Sequence, residues 1–297
     1  MMPDPTPRMS LAQRLRQPGL VVAPGVYDMV SLRLADTFGF DALYMTGFGT
    51  VASHLGLPDA GIATYTDMVQ RVREMASMAR APLIADGDTG YGGLLNVAHT
   101  VRGYEAAGAA AIQLEDQEFP KKCGHTPGRR VVPLADMVRK IRVACESRSS
   151  SDFLIIARTD ARTTLGLDEA LRRAEAYAEA GADILFVESP ESIEEMATIS
   201  RSLHLPLVAN MVEGGRTPVL SQAQLEAIGY RIAIFPVTAL LAATESMRAT
   251  YAQLRQHGSS AGLPVPLMPF SDLTQLMGFE EVWEFDRRHA EQGDKQP

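Results

Sequence analysis

Short unbroken apolar runs recur about every thirty residues, at 20–23, 42–45, 83–85, 111–114, 153–157, 184–187, 207–209 and 232–235. Each is followed by a stretch whose apolar positions fall three and four apart. The first pattern predicts a strand buried on both faces and the second an amphipathic helix. Helices are predicted at 66–80, 97–107, 134–147, 168–180, 192–202, 221–228 and 238–256, with Thr66 and Asp168 as N-caps. The phrases Glu105-Ala-Ala-Gly108-Ala and Glu179-Ala-Gly181-Ala-Asp183 repeat one punctuation: a helix ends, turns on glycine and enters the next strand. Eight such βα units within about 240 residues predict an α/β fold, a (β/α)8 TIM-type barrel. A doubly wound open sheet is the alternative, but no Gly-x-Gly-x-x-Gly follows the first strand.

The pattern changes after the long helix. Residues 258–269 are rich in Gly, Ser and Pro, and a last helix is predicted at 271–291, apolar at Phe279, Val282, Trp283 and Phe285. The expected division is a catalytic barrel at 1–257 and a linker with a C-terminal helix at 258–297, packed on the barrel or on a neighbouring subunit.

With 46% apolar and 22% charged residues in 297, the chain is an ordinary globular one and not a disordered one. A net charge of -8 opposes general nucleic-acid binding. No window approaches the roughly 20 apolar residues of a membrane span, and the first ten residues lack the apolar stretch of a secretory signal. Two cysteines, Cys123 and Cys145, make no disulfide framework, so a reducing, cytoplasmic setting is expected.

In a barrel of this kind chemistry sits at the C-terminal ends of the strands. There the sequence places Tyr44 and Thr46-Gly47, Asp86-Gly-Asp88, Glu115-Asp116, Arg158-Thr-Asp160, Glu188 and Asn210. Five acids (Asp86, Asp88, Glu115, Asp116, Glu188) at one mouth repel one another unless a cation lies among them. An all-oxygen set without zinc-like His or Cys spacing favours Mg2+, with Mn2+ as the alternative, and most of these acids would then act through water. Arg158 could steady the acids or clamp a substrate carboxylate. The stretch from Phe119 to Pro133 is too long and too rich in Gly, Pro and charge for a plain connection and reads as a lid. Cys123 lies in it beside Lys121, Lys122 and His125, a setting that favours the thiolate and suits a catalytic acid or base. Cys145 reads as packing. Gly214-Gly215-Arg216 offers backbone N–H groups to an anion, or is simply a turn.

Taken together, Asp86-Gly-Asp88-Thr-Gly-Tyr-Gly, Gln-Leu-Glu115-Asp116-Gln, Lys121-Lys-Cys123-Gly-His125, Ala-Arg158-Thr-Asp160-Ala and Asn210-Met-Val-Glu-Gly-Gly resemble the isocitrate lyase and phosphoenolpyruvate mutase superfamily, collinearly from about residue 10 to 290. The Lys-Lys-Cys-Gly-His segment resembles its carbon–carbon lyase branch, closest to the lyases of 2-alkylmalates and next to the methylisocitrate lyases. The resemblance implies a Mg2+-dependent homotetramer that exchanges its last helix between subunits and acts on a small dicarboxylate. It implies that Asp86 holds the metal directly while Asp59, Asp88, Glu115 and Glu188 hold its waters. Thr46, Gly47 and Arg158 would bind the 2-oxo acid half of the substrate, and Gly124, His125 and Asn210 the other carboxylate. Cys123 would protonate the departing carbanion. Thr46 stands where the family commonly has Ser, and Pro236 where oxaloacetate-hydrolysing relatives have Ser.

The expected reaction is retro-Claisen cleavage of a 2-alkylmalate-type substrate, such as 2,3-dimethylmalate or 2-methylisocitrate, to a 2-oxo acid and a carboxylate. Tyr44 is a candidate base, or a buried structural tyrosine. Phe48, Val212 and the residues after Pro236 are candidate alkyl contacts. An oxaloacetate decarboxylase or hydrolase on the same site is the alternative, and a non-catalytic barrel a more distant one.

Overall fold

The structure is a computed structural model, and it describes residues 9–124 and 128–290. All eight expected strands form: β1 (Val21–Val26), β2 (Leu43–Met45), β3 (Leu83–Asp86), β4 (Ala111–Glu115), β5 (Leu154–Thr159), β6 (Ile184–Val187), β7 (Val208–Asn210) and β8 (Ile232–Phe235). They make one parallel sheet in the spatial order β6-β5-β4-β3-β2-β1-β8-β7. A bridge between Leu185 and Leu207 brings β6 to β7, so the sheet curls round into a nearly closed barrel. The helices are α1 (Leu11–Leu15), α2 (Met29–Asp36), α3 (Gly47–Leu55), α4 (Tyr65–Met78), α5 (Leu94–Ala106), α6 (Leu134–Ser147), α7 (Ala161–Leu165), α8 (Leu167–Glu179), α9 (Ile193–Ser202), α10 (Gln222–Ile228), α11 (Thr238–His257), α12 (Phe270–Leu276) and α13 (Phe279–His289). This is the (β/α)8 architecture that the alternation of patterns predicts.

Strand residues alternate between two apolar environments. Val21, Ala23, Ala42, Tyr44, Ile84, Ile156, Phe186 and Ile232 fill the barrel, while Leu43, Met45, Leu83, Ile112, Leu114 and Ile155 pack outward against the helices. Burial on both sides is why the strands read as unbroken apolar runs. Leu11 and Ala12 join the inner cluster, and Arg231, just before β8, donates to the Leu15 carbonyl at 3.0 Å. Helix α1 therefore plugs the end of the barrel opposite the strand C-termini.

Several features differ from the sequence reading, and α1, α2 and α7 form where no helix was predicted. The N-cap of α4 is Thr64, whose hydroxyl accepts from the Asp67 N–H, and that of α8 is Gly166; Thr66 and Asp168 sit in the first turns. Helix α3 was not foreseen, because Gly47-Phe-Gly49-Thr-Val carries no helical polar spacing; the glycines are there for close packing. The expected helix at 271–291 is two, α12 and α13, separated at Gly278 with φ 86°.

The chain divides into a compact unit up to Leu241 and a second from Ala242 onward. The break falls within α11 and not after residue 257, where composition places it. In the second unit Phe279, Val282, Trp283 and Phe285 are about half exposed.

Asp116, expected among the acids of the mouth, is instead a fastener. Its carboxylate accepts from the Thr159 hydroxyl at 2.8 Å, the Asp160 N–H at 2.8 Å, the Tyr177 hydroxyl at 2.7 Å and Arg173 Nη1 at 3.1 Å. Helix α8 is thereby locked to the ends of β4 and β5. Asp116→Ala leaves the buried Tyr177 and Thr159 hydroxyls and the Asp160 N–H without this acceptor, while Arg173 keeps Glu169 and the Val132 carbonyl, and is expected to cost about 2–3 kcal/mol in urea unfolding. A loss below roughly 1 kcal/mol would show that water replaces the carboxylate.

Candidate active site

A cavity of about 210 Å3 opens at the C-terminal ends of the strands. Tyr44, Thr46, Asp86, Glu115, Arg158, Glu188 and Asn210 line it from β2 to β7, with Asp59 from the α3–α4 connection and Cys123 and Gly124 from the loop after β4. Gly47 lies against Asp86: a Cβ on Gly47 would stand 2.5 Å from Asp86 Oδ2. Asp88 lies behind the lining and joins it through Lys121. His125 lies outside the described residues. Phe48, Val212, Ile234, Pro236, Val237 and Leu241 also line it, with Lys121, Lys122 and Glu213. The spatial strand order thus gives the cavity a charged side over β3 to β6 and a largely apolar side over β8 and the β2–α3 junction, with Asn210 and Glu213 polar at the end of β7.

The acids are held apart by deliberate backbone geometry. Asp88 adopts a left-handed φ of 48°, uncommon for a non-glycine residue. In that conformation its N–H donates to Asp86 Oδ1 at 3.0 Å and its carbonyl accepts the Glu115 N–H at 2.9 Å, tying β3 to β4. Gln113 Nε2 donates to the same Asp86 oxygen at 3.4 Å, and the Tyr104 hydroxyl donates to the Asp86 carbonyl at 3.1 Å. Lys121 is buried, bridging Asp59 and Asp88. The sequence analysis gave Lys121 a role in activating Cys123, but its ammonium is engaged by these two carboxylates.

Besides Lys122, whose Nζ donates to the Gly128 carbonyl at 3.3 Å, the lining holds one more cation among the described residues, Arg158. Its Nε and Nη2 donate to the two oxygens of Asp160, each at 2.9 Å, and it stands 3.4 Å from both Glu115 and Glu188. Asn210 Nδ2 donates to Glu188 at 3.1 Å. Gly124 closes over this group, its carbonyl accepting from the Ser189 hydroxyl at 3.2 Å. A Cβ there would overlap Arg158 Nη2, so only glycine lets the loop bring Cys123 to the ends of β5 and β6.

The site retains an excess of negative charge. Asp59, Asp86, Asp88, Glu115, Glu188, Asp160 and Glu213 outnumber Lys121, Lys122, Arg158 and Arg129 seven to four. Burial, with Asp86 and Asp59 nearby, pushes the Asp88 carboxyl up to about 7 even with Lys121 beside it. Burial pushes Glu115 well above its ordinary range despite Arg158. Glu115 Oε1 is buried with no hydrogen-bond partner among the described residues. An orphaned carboxylate oxygen and disfavoured ionisation are what a missing cation leaves behind. Among the described residues no three His, Cys, Asp or Glu stand close enough to take one ion directly. The set therefore suits a hard cation held by one or two carboxylates with the rest acting through water, as Mg2+ prefers.

Tyr44 is buried and its hydroxyl donates to Gln113 Oε1 at 3.0 Å. Burial, with Asp86 beside it, pushes its phenol well above the ordinary value, so it keeps its proton. Sequence reasoning missed Arg129, which reaches Asp160 from the loop after β4, and Glu213 in the lining, whereas Val237 and Leu241 are among the expected residues after Pro236.

A family model described as phosphoenolpyruvate phosphomutase matches residues 11–255. The chain is 50% identical over 271 residues to 2,3-dimethylmalate lyase of Eubacterium barkeri, covering 91% of this chain and 94% of that protein. It is 39% identical over 285 residues to 2-methylisocitrate lyase of Aeropyrum pernix, covering 96% and 91%. Among solved structures it is similar to oxaloacetate acetylhydrolase in complex with 3,3-difluorooxalacetate, with a TM-score of 0.90, 38% identity and coverage of 98% and 99%. It is also similar to phosphonopyruvate hydrolase in complex with oxalate and Mg2+, with a TM-score of 0.82, 32% identity and coverage of 92% and 95%.

Gly124→Ala is expected to lower kcat/KM about 100-fold or more by displacing Cys123 or Arg158, since misplacement of about 1 Å can cost that much. The melting temperature should stay within a few degrees, because the loop carries little of the core. An active Gly124→Ala enzyme would mean that the loop need not approach Arg158.

Proposed function

The chain belongs to the phosphoenolpyruvate mutase/isocitrate lyase superfamily and is a carbon–carbon lyase, and from that premise we propose that it cleaves a 2-alkylmalate-type 2-hydroxy dicarboxylate. The observation that carries the substrate reading is the division of the cavity. A polar side with Arg158, Asn210 and the N-terminus of α3 offers donors to two carboxylates, and Phe48, Val212, Pro236, Val237 and Leu241 supply an apolar patch, with Glu213 at its edge. Alkyl groups at C2 and C3 fit that patch, whereas a further carboxylate would be desolvated there beside the like charge of Glu213.

For 2,3-dimethylmalate the C2–C3 bond breaks to give pyruvate and propionate. The first-turn N–H groups of α3, beginning at Gly47 after Thr46, and the Arg158 guanidinium would bind the 2-oxo acid half. Gly124, His125 and Asn210 would bind the other carboxylate. The 2-hydroxyl proton passes to the carboxylate cluster and not to Tyr44, whose phenol stays protonated and donates. As the bond breaks, the electron pair moves onto C3 and into its carboxylate. Cys123 gives its thiol proton to C3, completing the released carboxylic acid. Mg2+ or Mn2+, held directly by Asp86 and through water by Asp59, Asp88, Glu115 and Glu188, would withdraw charge from the 2-oxygen and the neighbouring carboxylate.

We further propose a homotetramer in which the half-exposed apolar residues of α13 pack on a neighbouring subunit, in a reducing, cytoplasmic setting. No helix among the described residues is long and apolar enough to cross a membrane, and both cysteines are free. Action on oxaloacetate is the second reading, favoured by the likeness to oxaloacetate acetylhydrolase. Pro236 in the lining opposes it, since it brings no hydroxyl to the cavity.

The test is release of 2-oxo acid from 2,3-dimethylmalate, 2-ethylmalate, 2-methylisocitrate, isocitrate and oxaloacetate, with and without divalent metal, in wild type and Cys123→Ser. Cleavage of the alkylmalates is expected to require metal and to fall about 100-fold or more in Cys123→Ser. Turnover of oxaloacetate alone, surviving in Cys123→Ser, would overturn the lyase assignment of this site.

A further inference from the structure

Arg129 is a buried charge that the reaction does not use directly. It lies on the return stem of the loop after β4, where Gln117 bridges Val131, the Glu118 N–H donates to the Arg130 carbonyl at 2.8 Å, and the Val132 N–H donates to the Asp116 carbonyl at 2.8 Å. Its side chain is 1% exposed. Nη1 meets Asp160 Oδ1 at 2.6 Å, Nη2 donates to the Thr163 hydroxyl at 2.8 Å, and Nε is buried without a hydrogen-bond partner among the described residues. Asp160 Oδ1 is also the oxygen that receives Arg158 Nη2 at 2.9 Å, while Oδ2 receives Arg158 Nε. One carboxylate thus lies between two guanidinium groups, one reaching into the cavity and one from behind.

We propose that Arg129 is a positioning residue for substrate binding: by sharing Asp160 it leaves Arg158 oriented by that carboxylate without being neutralised by it. Two parallel bonds from Asp160 fix the plane of the Arg158 guanidinium. Unshared, the same carboxylate would cancel the charge of Arg158, with Glu115 and Glu188 already 3.4 Å away. A second cation on Asp160 tips this balance, so that less of the Arg158 charge is offset before it meets an incoming carboxylate. Charges separated by one bridging group in a buried site still act on each other strongly. The raised pull on Asp160 agrees: Arg158 and Arg129 hold its carboxyl below the ordinary range although burial works the other way. Thr163, on α7, only fixes the far end of Arg129.

This inference rests on Arg158 binding a carboxylate of the substrate, so the experiment includes Arg158→Lys. Calorimetric titration with oxalate in the presence of Mg2+ is compared with steady-state kinetics for wild type, Arg129→Met, Arg129→Lys, Thr163→Val and Arg158→Lys. Arg129→Met is expected to weaken oxalate and raise KM about tenfold with kcat within about threefold, because the lost interaction is made equally before and during reaction. Arg129→Lys should recover most of the loss, and Thr163→Val should stay within about twofold. Arg129→Gln, which keeps a donor for Asp160 but not the charge, replaces the methionine variant if that does not fold. Lysine and glutamine variants that match wild type, or that are equally impaired, would overturn the proposal. Oxalate binding unaffected by Arg158→Lys would instead show that the reading of Arg158 itself is wrong.

Discussion

Everything at the mouth of this barrel follows from the crowding of carboxylates on adjacent strand ends. Parallel strands pair Asp86 with Gln113 and Glu115 with Arg158, so Asp86, Glu115 and Glu188 reach the mouth at the ends of β3, β4 and β6 with the Arg158 guanidinium among them. Like charges at such spacing cannot all ionise without counter-charge. Three cations answer part of the excess: Lys121 between Asp59 and Asp88, Arg158 beside Glu115 and Glu188, and Arg129 behind Asp160. The remainder, with Glu115 Oε1 orphaned, defines a place for a divalent ion.

The same topology divides the chemistry. β3 to β6 carry charge, β7 and β8 lead into Val212 and Pro236-Val237 with Asn210 and Glu213 polar beside them, and the proposed substrate would lie where these sides meet. A carbon–carbon lyase needs both: charge to take up the developing oxyanion, and a dry surface that holds the alkyl groups so that the breaking bond faces the proton donor. The loop after β4 contributes to the charged side through Lys121 and closes it through Gly124. Loop variation on a fixed barrel is how one fold supports different reactions, and this loop is where the charged side and the proposed proton donor meet.

Much of this was legible in the chain. Strands buried on both faces announce themselves as apolar runs, and polar residues interrupting such runs mark the mouth. Hence Asp86, Glu115, Arg158, Glu188 and Asn210 could be named from the sequence. Asp116 was misread because its neighbour in sequence, Glu115, faces the cavity while its own carboxylate meets Tyr177 and Arg173 from a helix sixty residues away. No local signal carries that pairing. Arg129 was missed for the same reason: its role comes from where a loop returns in space. The glycine run of α3 hid a helix, since helical periodicity needs side chains that close packing at Gly47 and Gly49 does not allow.

The central claim, that the carboxylate cluster is completed by a divalent cation seated at Asp86, is tested most directly by thermal unfolding with and without millimolar Mg2+. Wild type is predicted to melt several degrees higher with the ion, since binding to the folded state alone adds about 2.7 kcal/mol at 100 times Kd. Asp86→Asn should show no such rise. A wild-type melting temperature indifferent to Mg2+, or an equal rise in Asp86→Asn, would contradict the account.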